Sequence, residues 1–333
     1  MGAVGEETAL GRPADFGASR PPALRRPMLF DQARDPQDTI KPNLFIIGAM
    51  KSGTTFLWSL LASHPSIFLC RPKEPSYFID PGQLRELQPW LWRQGYWRSE
   101  EAYLKLFRSA RDAAIVGEAS VYYTHLPHAS GVAERISRFN PEARLIYIMR
   151  DPIERTISHY WHRVRHNREY RSISQAIKND PQYRDVSYYK MQIAPYLTAF
   201  GRDQIKLLTF EELIGNTVQT VRGIFRWLSV DGSFDLPLIP PANVTPETID
   251  QFPAWWESVS RLKKHNDLVN GAIDHIPVSI RRGTRQMISR RINRPGVDID
   301  EVVQYLRPLQ QKQTQELTHL IGKDFPEWRT LNR

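Results

Sequence analysis

The chain has a single cysteine, Cys70, among 333 residues. One thiol can form no intrachain disulfide and supplies no cysteine cluster for zinc. Cys70 closes the run Ser66-Ile-Phe-Leu69 and reads as a buried strand residue; no histidine arrangement marks it as a nucleophile. Low cysteine usage suits a reducing compartment, and a cytoplasmic location is the expectation. Nor is any run long and apolar enough to span a membrane. The first residues carry Glu6, Glu7 and Asp15 and lack an apolar core, so they do not read as a secretory signal. Glu6 stands where a myristoylation motif wants Ser or Thr. No internal repeat is visible.

Acidic residues are outnumbered, 36 against 45 Lys and Arg, for a formal charge of +9. That excess favours anionic partners without choosing among them. Nothing resembles a nucleic-acid-binding signature, so no nucleic-acid partner is expected. Hydrophobic residues make up 41% of the chain, enough for a sizeable core.

Residues 1–41 are rich in Pro, Gly, Ala and Arg and show no sustained periodicity, which predicts a flexible tail. A single domain is expected over 42–333. Short apolar runs there alternate with helical patterns. Strands are predicted at Leu44–Ile47, Ser66–Leu69, Ala113–Val116, Leu145–Met149 and Lys206–Phe210. Helices are predicted over Thr54–Ala62, after Asp151-Pro152, and over Val218–Leu228 and Val302–Ile321. This alternation predicts an α/β fold of three layers, with a mainly parallel sheet and helices on both faces. Ligands in such folds bind beyond the carboxyl ends of the strands. The Pro- and Arg-rich segment 232–299 gives no clear pattern.

The strongest local signal is Leu44-Phe-Ile-Ile-Gly-Ala-Met-Lys-Ser-Gly-Thr-Thr-Phe-Leu-Trp58. A buried strand feeds a glycine-containing loop, and the loop feeds a helix. Gly48 and Gly53 allow sharp turning and close approach to a ligand. Free N–H groups at the helix start favour an anion. Lys51 adds positive charge, and Thr54 and Thr55 add hydroxyls. The plainer alternative is a surface turn with a stray lysine. A Walker A loop would place its lysine after the second glycine, whereas Lys51 precedes Gly53. The strand Leu145–Met149 ends on Arg150, a cation where a metal-binding Asp would sit, so phosphate binding without a metal is expected. Arg150 can make a forked phosphate contact, or serve as a structural ion-pair residue. Ser158 lies two turns into the following helix, on the same face as its N-cap.

Together these segments resemble the PAPS-dependent sulfotransferases, in the branch holding bacterial and heparan sulfate sulfotransferases (PAPS is 3′-phosphoadenosine-5′-phosphosulfate). The first loop resembles the family's 5′-phosphosulfate loop, which assigns Lys51, Ser52, Gly53, Thr54 and Thr55 to the donor. The Arg150…Ser158 segment resembles its 3′-phosphate motif. Lys73-Glu-Pro-Ser-Tyr-Phe78, Gly117-Glu-Ala-Ser120, Tyr189-x-x-Gln192, Phe210-Glu-Glu-Leu213 and Gly322-Lys-Asp-Phe-Pro-Glu-Trp328 extend the resemblance over about residues 42–330. It implies a P-loop-like fold, and sulfuryl transfer from PAPS to a small-molecule or carbohydrate acceptor. Two departures separate the chain from heparan-type acceptor sites. Ala119 stands where several relatives carry a lysine, and the late Lys-Gly-Arg loop is replaced by Arg290-Arg-Ile-Asn-Arg294.

Sulfuryl transfer needs a cation at the leaving phosphate oxygen, which falls to Lys51. It also needs a base for the acceptor proton. The resemblance places that base in the Lys73-Glu74 segment and implies Glu74; alternatively Glu74 pairs with Lys73 or caps a turn. His125 is the histidine alternative, ahead of His64 and His159. The aromatic stretch Trp90–Trp97 either packs or shapes an acceptor pocket. Two competing functions remain: a nucleotide-dependent kinase with a variant phosphate loop, and a non-catalytic nucleotide-binding protein. The acceptor and the oligomeric state are not written in the sequence.

Overall fold

The computed structural model describes residues 40–240, 245–253, 255 and 289–333. The chain divides into two units, Met1–Asp38 and Thr39–Arg333, and every described residue belongs to the second. Most of the expected tail and residues 241–244, 254 and 256–288 of the Pro- and Arg-rich segment 232–299 therefore lie outside the described residues.

Five strands form one sheet: β1 (Leu44–Gly48), β2 (Ile67–Leu69), β3 (Ile115–Ala119), β4 (Arg144–Met149) and β5 (Ile205–Thr209), in the order β2-β3-β1-β4-β5. Every neighbouring pair is parallel, so all five carboxyl ends share one edge. Burial on both faces explains the unbroken apolar runs of β1 and β4. Phe45, Ile47, Leu145, Tyr147 and Met149 point into one core, while Leu44, Ile46, Ile146 and Ile148 point into the other. The second core is covered by the helices Thr54–Leu61 and Thr217–Trp227. The helices Pro152–Arg165, Tyr189–Ala199 and Asp300–Ile321 bury residues in the first. Among the described residues no helix is long and apolar enough to cross a membrane.

Strand β3 runs two residues later than the apolar pattern Ala113–Val116 suggests and includes Gly117 and the buried Glu118. Packing between strands decides this. At Gly117 a Cβ would lie 2.5 Å from the carbonyl oxygen of Leu44, so only glycine lets β3 lie against β1 there. The charged residue enters the sheet interior because its neighbours satisfy it. A two-stranded antiparallel ribbon, β6 (Thr248–Gln251) with β7 (Arg290–Asn293), packs beside the helix Pro152–Arg165. Arg290 and Arg291 are exposed on this ribbon, as a solvated basic strand requires.

The chain leaves β1 toward β2 and β3 on one side, then crosses to β4 and β5 on the other. The crevice between the ends of β1 and β4 is the switch point where ligands bind in such sheets. Register slips between Ile46 and Gly48, where β1 parts from β4 and the glycine-containing loop begins.

Candidate active site

The loop from Gly48 to Gly53 is built by steric necessity. Gly48 has φ +150°, and a Cβ there would stand 2.1 Å from the Thr124 hydroxyl oxygen, which donates to the Ile47 carbonyl at 2.7 Å. Gly53 has φ +86°, and a Cβ would meet the Phe210 ring at 2.8 Å. Lys51 takes the left-handed conformation with φ 69°, unusual for a residue with a side chain. The Ala49 N–H is tied to the Ile148 carbonyl of β4 at 2.8 Å. The helix Thr54–Leu61 starts without a side-chain cap. Ser52 is fully buried, and its hydroxyl has no hydrogen-bond partner among the described residues. A loop with a buried, unsatisfied hydroxyl and a tightly turned backbone is the form an anion cradle takes.

Lys51 makes no ion pair with any carboxylate among the described residues. Burial, followed by the positive charges of Arg150, Arg165 and Arg155, brings its pKa down to about 8. Positive charge thus surrounds Lys51 with no carboxylate paired to it among the described residues, a field that favours a phosphate or sulfate.

Arg150 follows β4, and Asp151 caps the next helix as its sequence position suggested. One Asp151 oxygen accepts from the N–H groups of Ile153 and Glu154 at 3.0 and 3.3 Å; the other accepts from those of Thr330 and Leu331 at 2.8 and 3.0 Å. The Arg150 guanidinium pairs with Glu154 at 2.8 Å, while its buried Nε has no partner among the described residues. Part of its fork is free for a ligand. Ser158 is half-buried on the same helix. One turn beyond it stands His162, whose pKa is lowered to about 3 by burial, then by the charge of Lys51. The charge of Lys51 is therefore felt on this helix face. His162 was missed by the sequence reading; its i+4 spacing from Ser158 was the available signal.

Glu74 follows β2 in a left-handed conformation, φ 68°. Its Oε1 accepts from the Lys73 ammonium at 2.5 Å and its Oε2 from the Val121 N–H at 2.8 Å. Lys73 also reaches the Thr54 hydroxyl at 3.5 Å, bringing the Glu74 loop to the start of the phosphate-loop helix. The ion pair raised by the sequence as an alternative role for Glu74 is therefore present, at a place that also adjoins the phosphate loop.

The neighbouring carboxylate, Glu118, is fully buried and accepts from Tyr103, Ser120 and Tyr123 at 2.6, 2.7 and 2.8 Å. Burial still raises its pKa to about 7. Held by three hydroxyls, two of them on Ser120 and Tyr123, it ties down the chain just after β3. His125 is buried, with neither ring nitrogen hydrogen-bonded among the described residues, and burial lowers its pKa to about 3. His64 is tied to the Asp231 carbonyl and the Ser66 N–H at 3.1 Å each. His159 packs on Tyr183 with ring centroids 4.8 Å apart. Cys70 is a buried free thiol whose pKa burial pushes up, the opposite of an activated nucleophile. Within the aromatic stretch, Trp92 and Trp97 stack at 5.4 Å and serve packing. Trp90 is 41% exposed.

A model of the sulfotransferase family matches residues 42–235. A solved sulfotransferase from Alicyclobacillus acidocaldarius superposes with a TM-score of 0.61 at 26% identity, covering 87% of this chain and 99% of that one. The membrane-associated sulfotransferase kil1 of Dictyostelium discoideum is 35% identical over 122 residues, 36% of this chain and 22% of that protein. Mouse carbohydrate sulfotransferase 15 is 25% identical over 249 residues, 57% of this chain and 44% of that protein. The chain spans less than half the length of these curated relatives. The family match covers more than half of the chain: the chain belongs to the sulfotransferase family.

Proposed function

We propose that the protein transfers the sulfuryl group of PAPS to a hydroxyl or amine of a carbohydrate or smaller acceptor. The observation that carries this reading is that Arg150 and Gly53, in the glycine-turned loop that bears Lys51, both pack on the Phe210 ring, with no carboxylate paired to Lys51 among the described residues. In this reading Ser52, Gly53, Thr54 and Thr55 hold the 5′-phosphosulfate with their N–H and hydroxyl groups. Arg150 and Ser158 hold the 3′-phosphate. The acceptor oxygen attacks sulfur as the sulfur–oxygen bond to the 5′-phosphate breaks. That electron pair stays on the phosphate oxygen, where Lys51 neutralises it. Glu74 takes the acceptor proton.

A sugar acceptor is favoured by the name of the mouse relative and by the surface around Trp90. Its indole N–H and the Arg168 guanidinium both donate to the Gln88 side-chain oxygen, at 2.9 and 3.1 Å. An exposed indole beside a cation suits a sugar ring carrying polar or anionic groups.

The test uses the full chain. 3′-Phosphoadenosine-5′-phosphate (PAP) is expected to raise the melting temperature without magnesium. PAPS with a panel of sugars, phenols and amines is expected to yield a product heavier by one sulfuryl group in mass spectrometry. Equal stabilisation by ATP with magnesium, together with phosphorylated products, would establish the kinase alternative. PAP binding without turnover on any acceptor would support the non-catalytic one.

A further inference from the structure

Lys73 lies outside the residues assigned to donor or base, yet it touches both. Its ammonium donates to Glu74 Oε1 at 2.5 Å and to the Thr54 hydroxyl at 3.5 Å. The Lys73 and Glu74 side chains are only 18% and 14% exposed, so the pair is shielded from much of the screening that makes surface ion pairs weak. The other Glu74 oxygen is held by the Val121 N–H, where the chain leaves β3. The backbone N–H of Glu74 is itself held by the Ala119 carbonyl at 2.9 Å.

A carboxylate fixed through both oxygens cannot rotate freely about its last torsion. Each oxygen keeps a lone pair in a defined direction, which is what a proton acceptor aimed at one hydroxyl needs. One of the two fixing groups is a backbone N–H that no side-chain truncation removes. The other, Lys73, is a side chain tied to the first residue of the phosphate-loop helix.

We propose that Lys73 is a positioning residue. It aligns the Glu74 carboxylate and couples it, through Thr54, to the loop that holds the sulfuryl donor. This rests on the reading of Glu74 as the base. It predicts an effect on turnover that vanishes when Glu74 cannot act.

A double-mutant cycle tests it, with PAPS, the acceptor found by the product screen, and PAP melting as a check on folding and donor binding. Lys73→Met is expected to lower kcat by about 10- to 100-fold, the cost of a base held loosely. The PAP-induced rise in melting temperature should persist, and Lys73→Arg should recover part of the loss. Lys73→Met combined with Glu74→Gln is expected to be no slower than Glu74→Gln alone, because the positioned group is gone. If the two losses multiply, Lys73 acts independently of Glu74 and the proposal is overturned. If Lys73→Met abolishes the PAP response, as Lys51→Ala is expected to, it is a donor-binding residue and the proposal is again overturned. Glu74→Gln slow with Lys73→Met normal defeats the positioning role alone. Near-normal Glu74→Gln defeats the base assignment, and the positioning role falls with it.

Discussion

The guanidinium of Arg150 lies 4.8 Å from the centroid of the Phe210 ring, and the same ring stands where a Cβ on Gly53 would collide at 2.8 Å. Phe210 therefore packs between the glycine-turned loop and Arg150 at the end of β4. It offers the guanidinium one face and leaves the fork directed elsewhere. Arg150→Ala is expected to weaken PAP by about ten- to a hundred-fold, the usual cost of losing charge-assisted hydrogen bonds. Weak binding of adenosine 5′-phosphosulfate, which lacks the 3′-phosphate, should barely change. Titration calorimetry with both ligands checks this; equal weakening would move Arg150 away from the 3′-phosphate.

Lys51 leads to a pH dependence. In the free protein its pKa is about 8, lowered by burial and by neighbouring arginines. An anionic ligand favours the protonated ammonium, so binding restores the proton wherever the free protein has begun to lose it. PAP affinity should be flat from about pH 7 to 8, where phosphate monoesters are already ionised. Above pH 8 it should fall by up to about tenfold per unit until the bound-state pKa is reached. Calorimetry at pH 8.5 in buffers of different ionisation enthalpy should show proton uptake, and Lys51→Ala should show none. A wild-type affinity that stays level to pH 9.5 would place Lys51 away from the phosphates.

The strand, glycine-turned loop and helix over Leu44–Leu61 were legible because their parts are contiguous, in the order the chain uses them. The position of Arg150 after β4 was legible for the same reason, with Asp151-Pro152 announcing the helix beside it. The five-stranded parallel sheet followed from the alternation of buried runs with amphipathic ones. What the sequence hid depends on packing between distant segments. Glu118 is acceptable inside β3 only because Tyr103, Ser120 and Tyr123 gather around it, and nothing in Gly117-Glu-Ala announces those partners. Lys73 gains its place from the approach of Thr54 across the sheet edge. Of the two roles the sequence allowed Glu74, base and ion-pair partner of Lys73, the second is visible in the structure and is compatible with the first.

Glu118 should shape the stability profile. Burial raises its pKa from an ordinary 4.5 to about 7, outweighing the three hydroxyl donors that favour the carboxylate. Between those values the native protein holds a proton that the unfolded chain has released. The resulting stabilisation is complete below pH 4.5 and is lost as pH rises through 7, an effect of at most about 3 kcal/mol. Compared with Glu118→Gln, the wild type should lose stability between pH 4.5 and 7 and run parallel to the variant above that. Urea unfolding of both proteins across this range measures it. A difference that stays constant with pH would show that Glu118 is ionised throughout.

The last expectation sets Glu74 against His125 as the base. His125 is 1% exposed, and burial brings its pKa to about 3. A group that releases its proton so readily is a poor proton acceptor near neutrality. Its ring also lies 5.4 Å from that of Tyr122, in the stretch that Glu118 ties down. Glu74 lies instead on the segment that touches Thr54 through Lys73. Glu74→Gln preserves size, and its single amide oxygen can keep one of the two bonds, to Lys73 or to Val121. Folding and PAP affinity should therefore change little, while turnover falls by about 10²–10⁴-fold, the range for a lost general base. His125→Gln should alter the melting temperature more than turnover per folded molecule. Steady-state rates and PAP melting shifts on both variants decide the matter. A collapse of turnover in His125→Gln with Glu74→Gln near normal would exchange their roles, and the buried ring would then have to reach the acceptor by a movement of the Val121–Thr124 turn.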